Sequence, residues 1–105
     1  MDMNNIVEQI TDIKARLLKL EKELKDITVK GTDSNNLITS IVSGDGIILD
    51  YQFNLIDMGG LNKDSLVKAV VEATNNGLKA AKELEVSRKK EIVGQVNLPD
   101  IPGLF

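Results

Sequence analysis

Lys79, Lys82, Arg88, Lys89 and Lys90 form the densest basic cluster in the chain, diluted by Glu83, Glu85 and Glu91. Ammonium and guanidinium groups grouped in this way suit one kind of chemistry. They hold phosphate oxygens and displace the counterions that surrounded them. On a helix read through this segment, Lys79, Lys82, Lys89 and Lys90 lie off the apolar stripe, with Arg88 at its border. Lys14 and Lys22, among the charged residues of an N-terminal helix, complete the candidate set for contacts to a phosphate backbone. A solvated helix face of mixed charge would carry the same residues, so both readings stand at this point.

Other constellations offer less. Asp33, Asn35 and Asn36 have a superficial likeness to a calcium loop, but the glycine at its sixth position and the bidentate glutamate at its twelfth are missing. Asp45 and Asp50 flank a hairpin with no third ligand beside them, so both read as turn and surface aspartates. Gly44-Asp45-Gly46 lacks the third glycine and the strand-to-helix setting of a dinucleotide fingerprint. Gly59-Gly60 precedes a helix and could offer amides to an anion, yet no Lys-Ser/Thr pair follows, and a connector is the expected role. Tyr51 and Phe53 have the spacing of a base-stacking platform on a strand. Their face also carries Ile47, Leu49 and Leu55, which favours core packing. The chain has no His and no Cys. That removes the commonest general base, the thiolate metal sites and every His-dependent triad. No catalytic residue, metal set or cofactor is expected.

The elements that position these residues are legible in the hydrophobic spacing. Ile6, Ile10, Ile13, Leu17, Leu20, Leu24 and Ile27 keep a heptad and form one narrow apolar seam on a helix from about Asn5 to Asp26. Asn4 or Asn5 is its expected cap. A short strand at Ile27-Thr28-Val29 precedes a turn-forming stretch from Gly31 to Asn36. Leu37 to Val42 reads as a second strand. Ser43-Gly44-Asp45-Gly46 reads as a tight turn in which both glycines can take positive φ. In the third strand Ile47, Leu49, Tyr51, Phe53 and Leu55 alternate with Ile48, Asp50, Gln52 and Asn54. A loop over Asp57–Asn62 leads to a second helix, capped by Asn62 or Asp64 and running from Lys63 to about Val93. Its apolar side reads Leu66, Val70, Val71, Thr74, Gly77, Leu78, Ala81 and Leu84, with Gly77 either a site of close backbone approach or a weak point.

The expected architecture is an α+β domain of order α-β-β-β-α. It has two layers, with a three-stranded antiparallel meander flanked by two long helices. Residues 1–96 form the domain, and residues 97–105 are an irregular apolar tail containing Pro99, Pro102 and Gly103. One copy has little to cover so long a seam and two open sheet edges, so a homodimer is expected. The acidic, polar start has no basic region leading an apolar one, and no apolar run approaches the ~20 residues of a membrane span. A cytoplasmic protein without membrane contact is expected.

The tail Asn97-Leu98-Pro99-Asp100-Ile101-Pro102-Gly103-Leu104-Phe105 resembles the Leu-Pro-Gly-Phe type of ending of the YbaB/EbfC family of bacterial nucleoid-associated proteins. The resemblance covers nearly the whole chain. Lys30-Gly31 is similar to the family's Val/Thr-Gly start of the sheet, and Ser43-Gly44-Asp45-Gly46 to its hairpin turn. Asp64 to Gly77 resembles its Leu-x-x-x-Val-x-x-Ala-x-Asn-Asp-Ala helix, with Asn76-Gly77 in place of Asp-Ala. The resemblance implies an α-β(3)-α fold, a homodimer with projecting helices, and duplex DNA as partner, with a role in nucleoid organisation or gene expression. It transfers no DNA-contacting residues, so the basic positions rest on electrostatics alone. Two other readings compete. A protein-interaction module would use Leu98, Ile101, Leu104 and Phe105 of the tail to dock on a partner. A prefoldin-like chaperone subunit shares the helix–hairpin–helix order but needs two long matched arms, whereas this second stripe fades after Leu84.

Overall fold

A computed structural model describes residues 3–54 and 60–94. The elements follow in the expected order: α1 at Met3–Leu24, β1 at Thr28–Thr32, β2 at Ile38–Ser43, β3 at Ile48–Phe53 and α2 at Lys63–Gly94. The strands form one antiparallel sheet in the order β1-β2-β3. The expectations for residues 55–59 and for the tail lie outside the described residues.

α2 lies across β1 and β2, and its closest approach is made by small residues. Ala69, Ala73, Gly77 and Ala81, spaced by four, are its buried positions. The sequence reading placed Leu66, Val70, Thr74, Leu78 and Leu84 in contact, and these are only half-buried, while Val71 is exposed. The reason is the short distance between layers. A Cβ on Gly31 would stand 2.5 Å from the Asn76 carbonyl carbon, and one on Gly77 would stand 2.7 Å from Val42 Cγ2. Gly77 is thus a point of backbone approach rather than a weak point. Gly31 belongs to β1, paired with Ser40, and is not the start of the turn.

Buried polar groups at this contact are satisfied. Ser40 is fully buried, and its hydroxyl donates to the Ala73 carbonyl at 2.6 Å. Thr74 Oγ1 donates to the Val70 carbonyl at 2.6 Å. Its single proton is therefore used, and the Tyr51 hydroxyl must donate to Thr74 Oγ1, also at 2.6 Å. Beside them, Leu37, Ile38, Ala69 and Ala73 form an apolar cluster against which Tyr51, Leu61, Leu66 and Val70 pack.

The β1–β2 turn is built around Asp33. Its buried carboxylate accepts from the amides of Leu37 (2.7 Å), Ile38 (2.8 Å) and Asn35 (3.2 Å), and Asn36 takes a positive φ of 56°. At the other end of the sheet, Gly44 donates to the Ile27 carbonyl at 2.8 Å and sits against Leu24. Only Gly46 of the two hairpin glycines takes positive φ, so Gly44 serves close packing on the end of α1 instead. Asn62 caps α2, its side chain accepting from the Ser65 amide at 2.8 Å. α1 begins before its expected cap, and Asn4 and Asn5 lie within its first turn.

β3 departs from simple alternation. Val42 pairs with Ile48 and Ile41 with Asp50, so Leu49 is an extra residue in a bulge. Beyond the cover of α2, Ile47, Ile48, Leu49 and Phe53 are 40–57% exposed. Among the described residues of the expected apolar row, Tyr51 is the one tied beneath the helix.

Candidate nucleic-acid interface

The molecule is elongated, 69 × 22 × 16 Å, because both helices run past the sheet. Ala81 is the last buried residue of α2, and the 82–94 stretch continues for about 20 Å at the 1.5 Å rise of a helix. α1 packs beside it. Leu20 and Leu24 share a groove with Glu85 and Lys89, while Gly77 of the same helix stands over mid-sheet, so the two helices run antiparallel. The result is a two-helix arm.

The heptad seam finds part of its cover within the chain. Ile13, Leu20 and Leu24 are buried, and Ile6, Ile10, Leu17 and Ile27 are half-buried. The partner that the seam requires is thus found in part within the chain, in α2. Helix-on-helix packing supplies what the strands do not.

The arm, with Lys79 at its base, carries the basic residues. Lys79, Lys82, Arg88 and Lys90 are exposed, and Lys89 is half-buried. At about 100° per residue, Lys89, Lys82, Lys79 and Lys90 fall within one arc of about 100° centred near Val86. They are brought together on the side of α2 turned away from the sheet. Arg88 lies outside that arc, nearly in line with the stripe that ends at Ala81. Lys14 and Lys22 are exposed on α1, the other helix of the arm.

Acidic residues temper this surface. Glu85 Oε1 receives Lys89 Nζ at 2.8 Å and Lys82 Nζ at 3.5 Å. The hydrogen bond from Lys89 holds the Glu85 carboxyl below its ordinary value of 4.5. Partial burial opposes the shift, and the charges of Lys89 and Lys82 add to it. On α1, Arg16 pairs with Asp12 at 3.1 Å and Lys19 with Glu23 at 3.9 Å, the i,i+4 arrangement of solvated helix faces. Glu85 was not singled out from the sequence, although its distance of three and four residues from the two lysines was the available signal. Lys25 was also missed; it lines the same groove as Glu85 and Lys89.

Among the described residues no group of His, Asp and Glu is placed to hold a metal ion. None of their helices is long and apolar enough to cross a membrane. Tyr51, bonded to Thr74 beneath α2, is not available as a stacking platform, as its apolar company suggested.

The model of the YbaB/EbfC DNA-binding family matches residues 1–96. The chain belongs to this family. A nucleoid-associated protein of Desulfotalea psychrophila is 27% identical over the whole chain and 99% of its own length. One from Bacillus cytotoxicus is 31% identical over 99% of the chain and 94% of its own length. The crystal structure of an uncharacterized protein from Helicobacter pylori shares the fold. Its TM-score is 0.66 at 21% identity, over 90% of this chain and 97% of that one.

Proposed function

We propose that this YbaB/EbfC protein is nucleoid-associated and binds duplex DNA as a homodimer, with little sequence specificity, through the lysine face of the helical arm. The observation that carries the reading is the convergence of Lys79, Lys82, Lys89 and Lys90 on one outward side of α2 in a chain of a DNA-binding family. Flexible ammonium groups on a helix surface pair readily with phosphates, which every sequence presents, and this favours binding with little sequence preference. Lys14 and Lys22, exposed on α1, add positive charge to the arm away from the seam that faces α2, Lys22 on the opposite side of that helix. Arg88, outside the arc, contributes less. Such binding suits a protein that coats or bridges DNA and so influences nucleoid organisation or gene expression.

The second copy is best accommodated along the β3 edge, which α2 leaves uncovered. β3 is an edge strand, and Ile47, Ile48, Leu49 and Phe53 are exposed there, as are Val67 and Val71 on α2. Open strand edges with apolar side chains are rarely left so in solution. Two arms in a dimer would double the lysine face and allow both to engage one duplex. The test is a gel shift with unrelated duplexes across a salt series, paired with light scattering. The expected result is equal retardation of all duplexes, fading as salt rises, by a species of twice the chain mass. Binding confined to one duplex, or a monomer at micromolar concentration, would contradict it.

A further inference from the structure

The lysine face has a counter-charge built into it. Glu85 Oε1 accepts from Lys89 at 2.8 Å and lies 3.5 Å from Lys82 Nζ, one oxygen shared by two of the four clustered lysines. Glu85 and Lys89 side chains are 24% and 25% exposed, whereas the Lys82 side chain is 70% exposed. Glu85 and Lys89 also line the groove against Leu20 and Leu24 of α1, which covers part of both, while Lys82 reaches the same carboxylate from the solvent side. All three line one groove on the outer side of α2, together with Val86 and Lys90.

We propose that Glu85 is the affinity-setting residue of this face: it holds Lys82 and Lys89 in an internal ion pair with which a DNA phosphate must compete. The inference rests on the reading of the lysine face as the DNA surface. A phosphate approaching Lys89 meets an ammonium already hydrogen-bonded to a carboxylate, and meets that carboxylate's own negative charge. Either the lysine leaves Glu85 or the phosphate shares it at close like-charge distance. Both routes weaken binding relative to a face on which the glutamate is absent. The device keeps the protein on DNA loosely, as a coating protein that must be displaced requires.

The experiment compares the full chain with Glu85→Gln and with Glu91→Gln, a charge-matched control on the same helix that makes no ion pair among the described residues. Glutamine keeps the length and the helix propensity, so circular dichroism melts should lie within about two degrees of one another. Fluorescence anisotropy with a labelled duplex is read over a salt series. Glu85→Gln is expected to bind roughly three- to tenfold tighter, with a log affinity against log salt slope steeper by about one. Glu91→Gln removes a charge that lines a groove with Lys82 and Lys90 but pairs with neither, so no ammonium is released and the affinity should rise by less than about twofold. Lys89→Ala should cost more affinity in the Glu85→Gln background than in the parent, because only there is the ammonium free for phosphate. Equal effects of Glu85→Gln and Glu91→Gln, or no gain from Glu85→Gln while the parent binds, would overturn the inference and leave the DNA surface standing. Silence of both the parent and Glu85→Gln toward every duplex would overturn the underlying reading together with it.

Discussion

The two ends of α2 are built on opposite principles. From Ala69 to Ala81 the helix presents small residues to the sheet, and backbones meet where Gly31 faces Gly77. Every hydroxyl there has a defined partner. Beyond Ala81 the same helix carries lysines and glutamates on an outward face that is mostly exposed and held by ion pairs. The first half is governed by volume, the second by charge. Substitutions should divide accordingly: those in the sheet-facing half should change stability and leave intrinsic DNA contacts alone, while those in the arm should do the reverse.

The sharpest way to break this contrast is to add volume at the helix–sheet contact. Gly31→Val places side-chain atoms inside the backbone of Asn76 and Gly77, so α2 must lift from β1. A loss of about 3 kcal/mol or more is expected in urea unfolding, at the upper end of overpacking. A melt close to that of the parent would show that the two layers are not in close contact.

Next comes the turn that aligns β1 with β2. Asp33→Ala removes the acceptor for the Leu37, Ile38 and Asn35 amides, and Leu37 and Ile38 are themselves buried. Charge-assisted bonds of this kind lead to an expected loss of about 2 kcal/mol. Asp33→Asn, which keeps one acceptor oxygen, should recover part of it. Equal unfolding midpoints for Asp33→Ala and the parent would remove the turn from the list of what holds the sheet.

The smallest expected effect lies in the arm. The carboxyl of Glu85 sits below 4.5 in the folded chain because Lys89 bonds to its charged form. A depressed carboxylate stabilises above its unfolded value and loses that contribution as pH falls through the folded one. The parent should exceed Glu85→Gln in stability at neutral pH by a few tenths of a kcal/mol, as solvated i,i+4 pairs do, and the gap should close below 4.5. A gap that is large, or that persists in acid, would mean the arm's charges hold the fold as the sheet contact does.

The element order, the second and third strands, the Asn62 cap and the extent of α2 were legible because each rests on local chemistry: heptad spacing, β-branched runs, turn residues. The small-residue stripe was harder to see. Ala69 and Ala73 look unremarkable in a hydropathy pattern, and only the proximity of Gly31 and Ser40 gives them meaning. The bulge at Leu49 was hidden for a similar reason, since alternation through Ile47, Leu49 and Tyr51 continues in the sequence where the pairing with β2 does not. In the arm, the lysines were found by type and spacing. Their sharing of Glu85 depends on rotamers that bring two ammonium groups to one oxygen, which spacing permits but does not specify. The heptad predicted burial correctly for Ile13, Leu20 and Leu24, and the projecting half of α2 supplies part of that cover from within the chain.

Reversing Lys79, Lys82, Lys89 and Lys90 to Glu in one protein decides whether the arm is the DNA surface. Anisotropy of a labelled duplex should show at least a hundredfold weaker binding on the order expected from losing several phosphate contacts, with the salt dependence largely gone and the thermal melt of the fold little changed. Binding by the well-folded, charge-reversed protein that matches the parent at every salt concentration would place the DNA elsewhere on the molecule.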